Sequence, residues 1–127
     1  MDKFTTLASA ACPINQTNVN TDQILPARYL KWTRAQGIGK VLFNDLRFDA
    51  DGGEKPDFPL NQPAWRDAKI VVAARNFGCG SSREAAVYAL YDYGVRCVIA
   101  PSFGDIFSGN AVQNGLLTAI VSDDEAA

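Results

Sequence analysis

Three short apolar runs at residues 69–74 (KIVVAA), 96–100 (RCVIA) and 116–121 (LLTAIV) constrain the fold more than any other feature. A continuous apolar run of this length, bounded by turn residues, reads as a buried strand at residues 69–74 and 96–100, and the third run reads as a further apolar strand. Helix-forming segments separate the runs. The first extends from about Ser82 to Tyr91 and is ended by Gly94. The second begins at Ser102, with Asp105 three residues on as a variant of the capping box, and is closed by Gly115. Strand, helix, strand, helix, strand in this order predicts an α/β architecture with a parallel sheet and right-handed crossovers.

The first half is less regular. Residues 3–11 mix apolar residues with threonines and predict a strand ended by Pro13, and residues 15–22 (NQTNVNTD) are rich in turn and cap residues. A short helix is expected around residues 27–30. Residues 31–40 (KWTRAQGIGK) have two glycines and little periodicity, and read as a mobile loop of the kind that carries binding residues. Residues 41–48 resume a helical rhythm, residues 49–63 read as a surface connection, and the last residues, SDDEAA, as a frayed tail.

A chain of 127 residues with 47% hydrophobic content fits one domain, taken as residues 1–127. A net charge of −2 without a basic stripe argues against nucleic-acid binding. The start lacks a charged segment followed by a long apolar core, and no apolar run approaches the ~18 residues of a membrane span. A soluble, unexported, cytoplasmic protein is expected. The three cysteines, Cys12, Cys79 and Cys97, are far apart and form no CxxC pair, so neither a zinc knuckle nor a disulfide framework is suggested. There is no histidine. That removes Ser–His and Cys–His dyads and the HExxH zinc helix, and leaves carboxylates, Tyr, Lys or an activated hydroxyl as possible bases.

The richest chemistry follows the first apolar run, at residues 76–84 (NFGCGSSRE). Ligands in open α/β sheets bind beyond the carboxyl ends of the strands. Gly78 and Gly80 let backbone approach a ligand, Ser81 and Ser82 add hydroxyls, and Arg83 adds a planar fork for a carboxylate. A helix starting there offers unpaired N–H groups and a partial positive charge, and the whole reads as an anion site. Two glycines and a serine cap are equally ordinary helix-start chemistry, and spacing alone does not choose. The third glycine of GxGxxG and the Walker lysine are both missing. Cys79 reads as a packing cysteine rather than a reactive thiol.

NFGCGSSRE, followed by GVRCVIAPSFGDIF and QNGLL, resembles the signature of the aconitase swivel domain. NVNTDQILPARYL resembles the family's upstream Thr–Asp motif, and GIGKVLFND the segment after its mobile loop. The resemblance runs from about Phe4 to Val121 and is greatest to the small subunits of 3-isopropylmalate dehydratases. It implies a swivel-type β/β/α fold, a parallel sheet core with flanking helices. It also implies a hydro-lyase that interconverts 2- and 3-isopropylmalate by dehydration and rehydration in leucine biosynthesis. In this family a serine alkoxide removes the proton beside a carboxylate, and by motif that serine is Ser81. Arg83 would hold a substrate carboxylate, with Gly80 and Ser82 supplying donors to the same anion. Tyr29, Leu30 and Lys31 fall in the substrate-selecting loop. There an apolar lining suits an isopropyl group, whereas cations such as Lys31 and Arg34 suit a further carboxylate. Thr21 and Asp22 match the Thr–Asp pair, read as structural support, with Cys79 beside the serine. No metal ligand set is expected on this chain. The resemblance puts a 4Fe–4S cluster, a Lewis acid for the substrate hydroxyl, on a large catalytic subunit, with which this chain forms a heterodimer or higher assembly. The chain alone is expected to be inactive.

Several positions depart from the family pattern. Ala85 stands where a histidine commonly follows the glutamate, Asn20 where an aspartate is common, and Thr118 where a proline usually follows the leucines. The chain also stops soon after Val121, where family members carry further strands and helices, so a C-terminally truncated or compact swivel domain is expected. Two rival readings remain: a related dehydratase acting on methylmalate/citraconate or homoaconitate, and a non-catalytic anion-binding assembly module.

Overall fold

A computed structural model describes residues 11–80 and 84–121. Four parallel strands make one sheet: β1 (Ala11–Ile14), β2 (Ile70–Ala73), β3 (Cys97–Ala100) and β4 (Leu117–Ile120), in the spatial order β1-β2-β3-β4. The register sets Cys12 beside Val71, Val71 beside Val98 and Val98 beside Thr118, a row crossing the whole sheet. The three apolar runs of the second half are therefore β2, β3 and β4. The expected α/β parallel architecture with flanking helices is present.

Helices fill the crossovers. Between β2 and β3 lies α3 (Glu84–Tyr93), and between β3 and β4 lies α4 (Asp105–Gln113). Right-handed crossovers between strands that are neighbours in both sequence and space bring successive helices to one face of the sheet, and α3 and α4 do pack on each other. Ala86, Val87, Ala89 and Leu90 of α3 are buried, as are Val71, Ala73, Val98 and Ala100 of the strands. Burying a Leu90-sized side chain contributes about 1.5–3 kcal/mol. Among the described residues, no helix is long and apolar enough to cross a membrane.

The long β1-to-β2 crossover holds α1 (Thr21–Ile24), α2 (Asn44–Arg47) and several 3₁₀ turns. The short helix expected around residues 27–30 is the 3₁₀ turn Ala27–Tyr29. Residues 31–40, read as a loop, contain two further turns, Arg34–Gln36 and the start of Ile38–Val41. Thr33 and Gln36 form a reciprocal capping box around the first. Ile38 and Gly39 are buried, and the Ile38–Val41 turn packs along α3. Arg34 is held by both carboxylate oxygens of Asp92, at 2.9 and 2.6 Å. Tertiary burial thus orders backbone that lacks helical periodicity. In the surface connection at 49–63, Phe58, Leu60 and Asn61 turn inward, and Asn61 donates to the Arg47 carbonyl at 2.7 Å.

Two boundaries differ from expectation. Pro13 does not end the first strand; β1 runs through it to Ile14. β1 lies at the edge of the described sheet, where a residue without an N–H is tolerated because only one side must be paired. The rest of that predicted strand, residues 3–10, lies outside the described residues. Ser102 does not cap α4; the N-cap is Gly104, with no side-chain cap bond. The Ser102 hydroxyl oxygen is engaged elsewhere, accepting from Asn76 N–H at 2.9 Å. At Gly104 the chain passes the loop after β2 so closely that a Cβ would sit 2.6 Å from the Gly78 carbonyl oxygen.

Gly39 marks another contact that only glycine allows: an added Cβ would lie 2.6 Å from the Tyr93 nitrogen and 2.7 Å from the Asp92 carbonyl carbon. Gly39→Ala should destabilise the fold by about 1–3 kcal/mol, the usual cost of overpacking. This is measured as a lower urea midpoint with an unchanged m value; an unaltered midpoint would show that the turn can move away from α3 without cost.

Candidate active-site loop

The loop leaving β2 is bound on both sides by the loops leaving β1 and β3. On the β1 side, Gly78 N–H donates to the Val19 carbonyl at 2.7 Å, and Thr21 N–H donates to the Cys79 carbonyl at 2.8 Å. On the β3 side, Phe77 N–H donates to the Ser102 carbonyl at 3.1 Å, and Gly104 N–H to the Phe77 carbonyl at 2.9 Å. Short parallel bridges at Asn20–Cys79 and Phe77–Phe103 extend the sheet's pairing past the strand ends. The loop is therefore a continuation of the sheet, placed at its carboxyl edge.

Glycine is required here twice over. Gly78 and Gly80 have φ of 80° and 101°, in the left-handed region. A Cβ on Gly78 would also fall 2.3 Å from Cγ of Phe107. Phe107 stands edge-on to Phe77, with ring centroids 5.5 Å apart, and stacks on Phe103 at 6.3 Å. These three rings form the floor of the loop. Gly80 faces outward beside Asn20 and Thr21.

The residues singled out from sequence divide into two groups. Gly80, Cys79, Thr21 and Asp22 come together. Asn20 caps α1 by accepting from Gln23 N–H at 2.8 Å, and Gln23 returns the bond to Asn20 N–H at 2.9 Å. Asp22 accepts from Ala27 N–H at 3.0 Å and closes the turn toward Pro26. Thr21 is buried, with its N–H on Cys79. Ser81, Ser82 and Arg83, the core of the anion-site reading, lie outside the described residues.

Tyr29, Leu30 and Lys31 occupy a separate turn. Tyr29 packs edge-on against Trp32 at 5.3 Å and carries the Arg28 guanidinium over its ring at 4.8 Å. It lines an open depression of about 620 Å³ with Arg28, Asp45 and Lys55, which shares no lining residue with the glycine loop. Lys31 is exposed, as are Leu30 (41%) and Trp32 (36%). Arg34, read as a cation that could meet a further substrate carboxylate, is already engaged by Asp92 and lies over the Tyr88 ring at 4.8 Å.

Glu84, the last residue of the signature, is also committed. Its carboxylate accepts from the Tyr88 hydroxyl at 2.5 Å and from the Asn114 amide at 3.2 Å. These bonds, Tyr88's first, hold its pKa below the usual glutamate range. Burial pushes the Cys12 thiol up to about 12 and raises Cys97 as well, which makes both poor nucleophiles at neutral pH. All three cysteines are free, and Cys79 is the least buried of them. Among the described residues, no group of three His, Cys, Asp or Glu side chains could hold a metal ion.

Sequence reading missed Asn18, Asn76 and Ser102, which tie the three loops together. Their signal was faint: asparagine is the non-glycine residue most at ease with positive φ, and these two have φ of 55° and 62°.

Comparison with known proteins places these features. The aconitase C-terminal domain family matches residues 1–124. The 3-isopropylmalate dehydratase small subunit of Methylobacterium radiotolerans is 55% identical over 125 residues, covering 98% of this chain and 62% of the relative. The protein of the same name from Rhodospirillum centenum is 59% identical over 117 residues, covering 92% and 58%. The crystal structure of 3-isopropylmalate dehydratase from Methanocaldococcus jannaschii is 34% identical and superposes with a TM-score of 0.73, over 92% of this chain and 63% of that one. The chain thus spans about 62% of the length of the first of these relatives.

The cysteines offer a direct check on the loop. In the native protein a thiol reagent should label Cys79 first, with Cys12 and Cys97 reacting only on unfolding, and Cys79→Ser should abolish the fast phase. Absence of a fast phase in the wild-type chain would show that the loop is closed over its thiol, and fast labelling that survives Cys79→Ser would show that Cys12 or Cys97 is accessible.

Proposed function

Because the chain belongs to the aconitase C-terminal domain family, we propose that it is the swivel-domain small subunit of a hydro-lyase, a 3-isopropylmalate dehydratase, working with a large catalytic subunit. The observation that carries this reading is the glycine loop, set at the carboxyl edge of a parallel sheet and leading directly into Ser81, Ser82 and Arg83. That edge is where α/β sheets place ligands.

In this reading Ser81 is the base. A serine hydroxyl ionises far above neutrality, so it needs a positive field to accept a proton's loss. The motif puts a guanidinium two residues away and a helix start beside it. Arg83 grips a substrate carboxylate with two bonds, which orients the adjacent C–H toward the serine oxygen. Gly80 and Ser82 add donors to the same anion. The donor set of this chain does not fit an iron–sulfur cluster, because Cys12 and Cys97 are buried in the sheet. The cluster is assigned to the partner, and without it this chain is half a site.

Leu30 and Trp32, both exposed, support an apolar substrate group in preference to a third carboxylate. The pairing of Arg34 with Asp92 removes one of the two cations that would favour the latter. The substrate is therefore read as a small dicarboxylic 2-hydroxy acid carrying an isopropyl branch. Three free cysteines agree with work in a reducing cytosol.

Reconstitution with the large subunit tests this. Wild-type complex should hydrate the unsaturated isopropyl diacid, and Ser81→Ala should lower kcat by about 10²–10⁴-fold with little change in KM. Arg83→Lys, which loses the planar fork, should raise KM. Turnover that survives Ser81→Ala would remove the alkoxide role.

A further inference from the structure

We propose that Asn18 and Asn76 are a positioning pair that fixes the entry of the glycine loop, which precedes Ser81 in the sequence. The inference rests on the hydro-lyase reading for its catalytic consequence, though not for its structural content. Asn76 Nδ2 donates to Asn18 Oδ1 at 3.0 Å, linking the loop after β2 to the loop after β1. Asn18 N–H donates to the Arg75 carbonyl at 2.9 Å, and Asn76 N–H donates to the Ser102 hydroxyl oxygen at 2.9 Å. Asn76 is thereby held by the β1 loop through its side chain and by the β3 loop through its backbone.

Both asparagines sit in the left-handed region, with φ of 55° and 62°. Glycine would adopt that conformation with no steric penalty. Asparagine at both positions therefore points to the side-chain amides, which glycine lacks. Those amides do not fill the core: Asn18 is exposed and Asn76 half-buried. Together with Thr17, Arg75 and Ser102 they line an open depression of about 380 Å³. A solvent-facing bridge adds little to global stability. What it constrains is the entry of the loop, four residues before Gly80. Non-glycine residues held in unusual backbone regions concentrate where geometry matters for chemistry.

The test uses Asn76→Gly, which keeps the backbone conformation and deletes the bridge. Asn18→Asp serves as the conservative control, because it keeps an oxygen acceptor for Asn76 Nδ2. In the reconstituted complex Asn76→Gly should lower kcat about 10- to 100-fold with KM nearly unchanged, while Asn18→Asp stays within about twofold of wild type. On the isolated chain, Asn76→Gly should speed thiol labelling of Cys79 about tenfold and leave Cys12 and Cys97 protected. Asn18→Asp should not. Unchanged Cys79 labelling in Asn76→Gly overturns the inference whether or not the complex turns over. So does a fall in kcat matched by labelling of all three thiols, which would mean that the fold itself had loosened. Absence of turnover in the wild-type complex counts against the hydro-lyase reading alone.

Discussion

The close approach of the loops after β2 and β3 is the contact on which the rest of the site depends. Gly104 donates to the Phe77 carbonyl, and the position of its absent Cβ is 2.6 Å from the Gly78 oxygen. Gly78 in turn lies over Phe107 with no room for a side chain. The two backbones can therefore meet only because both residues lack a Cβ. Once they meet, Phe77, Phe103 and Phe107 close beneath them. An ordinary side chain at either glycine would force the loops apart by several tenths of an ångström or more, and interiors do not absorb such shifts without cost.

The sheet order makes this meeting possible. When each strand lies beside its sequence neighbour and all run parallel, the three loops leaving β1, β2 and β3 emerge side by side at one edge. Backbone pairing then continues beyond the strands, through the Val19, Cys79, Phe77 and Ser102 contacts. Parallel neighbours need a long crossover to return the chain to the opposite edge, and between β2 and β3 and between β3 and β4 a helix supplies it. α3 therefore follows the loop as part of the same topology, and residues at both of its ends bind other elements: Glu84, its first residue, meets Asn114 at the end of α4, and Asp92 meets Arg34. Glu84 and Asp92 are thus satisfied within the fold.

How much of this was legible in the sequence varied with the range of the interaction. The three apolar strands of the second half, both long helices and the glycine stops at Gly94 and Gly115 followed from local pattern, because apolar runs and turn residues act over a few positions, although β4 leaves Leu117 and Ile120 exposed. The chemistry of the serine loop came from its resemblance to a known family, since spacing alone left an anion site and a plain helix start equally open. The first half was read less well. Residues 34–41 take helical turns because Ile38 is buried and Gly39 meets the backbone of α3, contacts with a partner more than fifty residues away. Pro13 remains in a strand because, among the described residues, that strand is at an edge, and an edge is a property of the sheet and not of the tripeptide around the proline.

By itself, then, the sequence determined the alternation of strands and helices, the parallel class, and the absence of histidine that removes Ser–His and Cys–His dyads. These depend on composition and on periodicities of two to four residues. Only the tertiary structure decided which groups are free to act. Ser102 binds the Asn76 amide in place of capping a helix, Arg34 is spent on Asp92, and Asn18 reaches Asn76 across 58 positions of chain. Those outcomes depend on strand order and on the missing side chains of Gly78 and Gly104, which bring distant loops into hydrogen-bonding range.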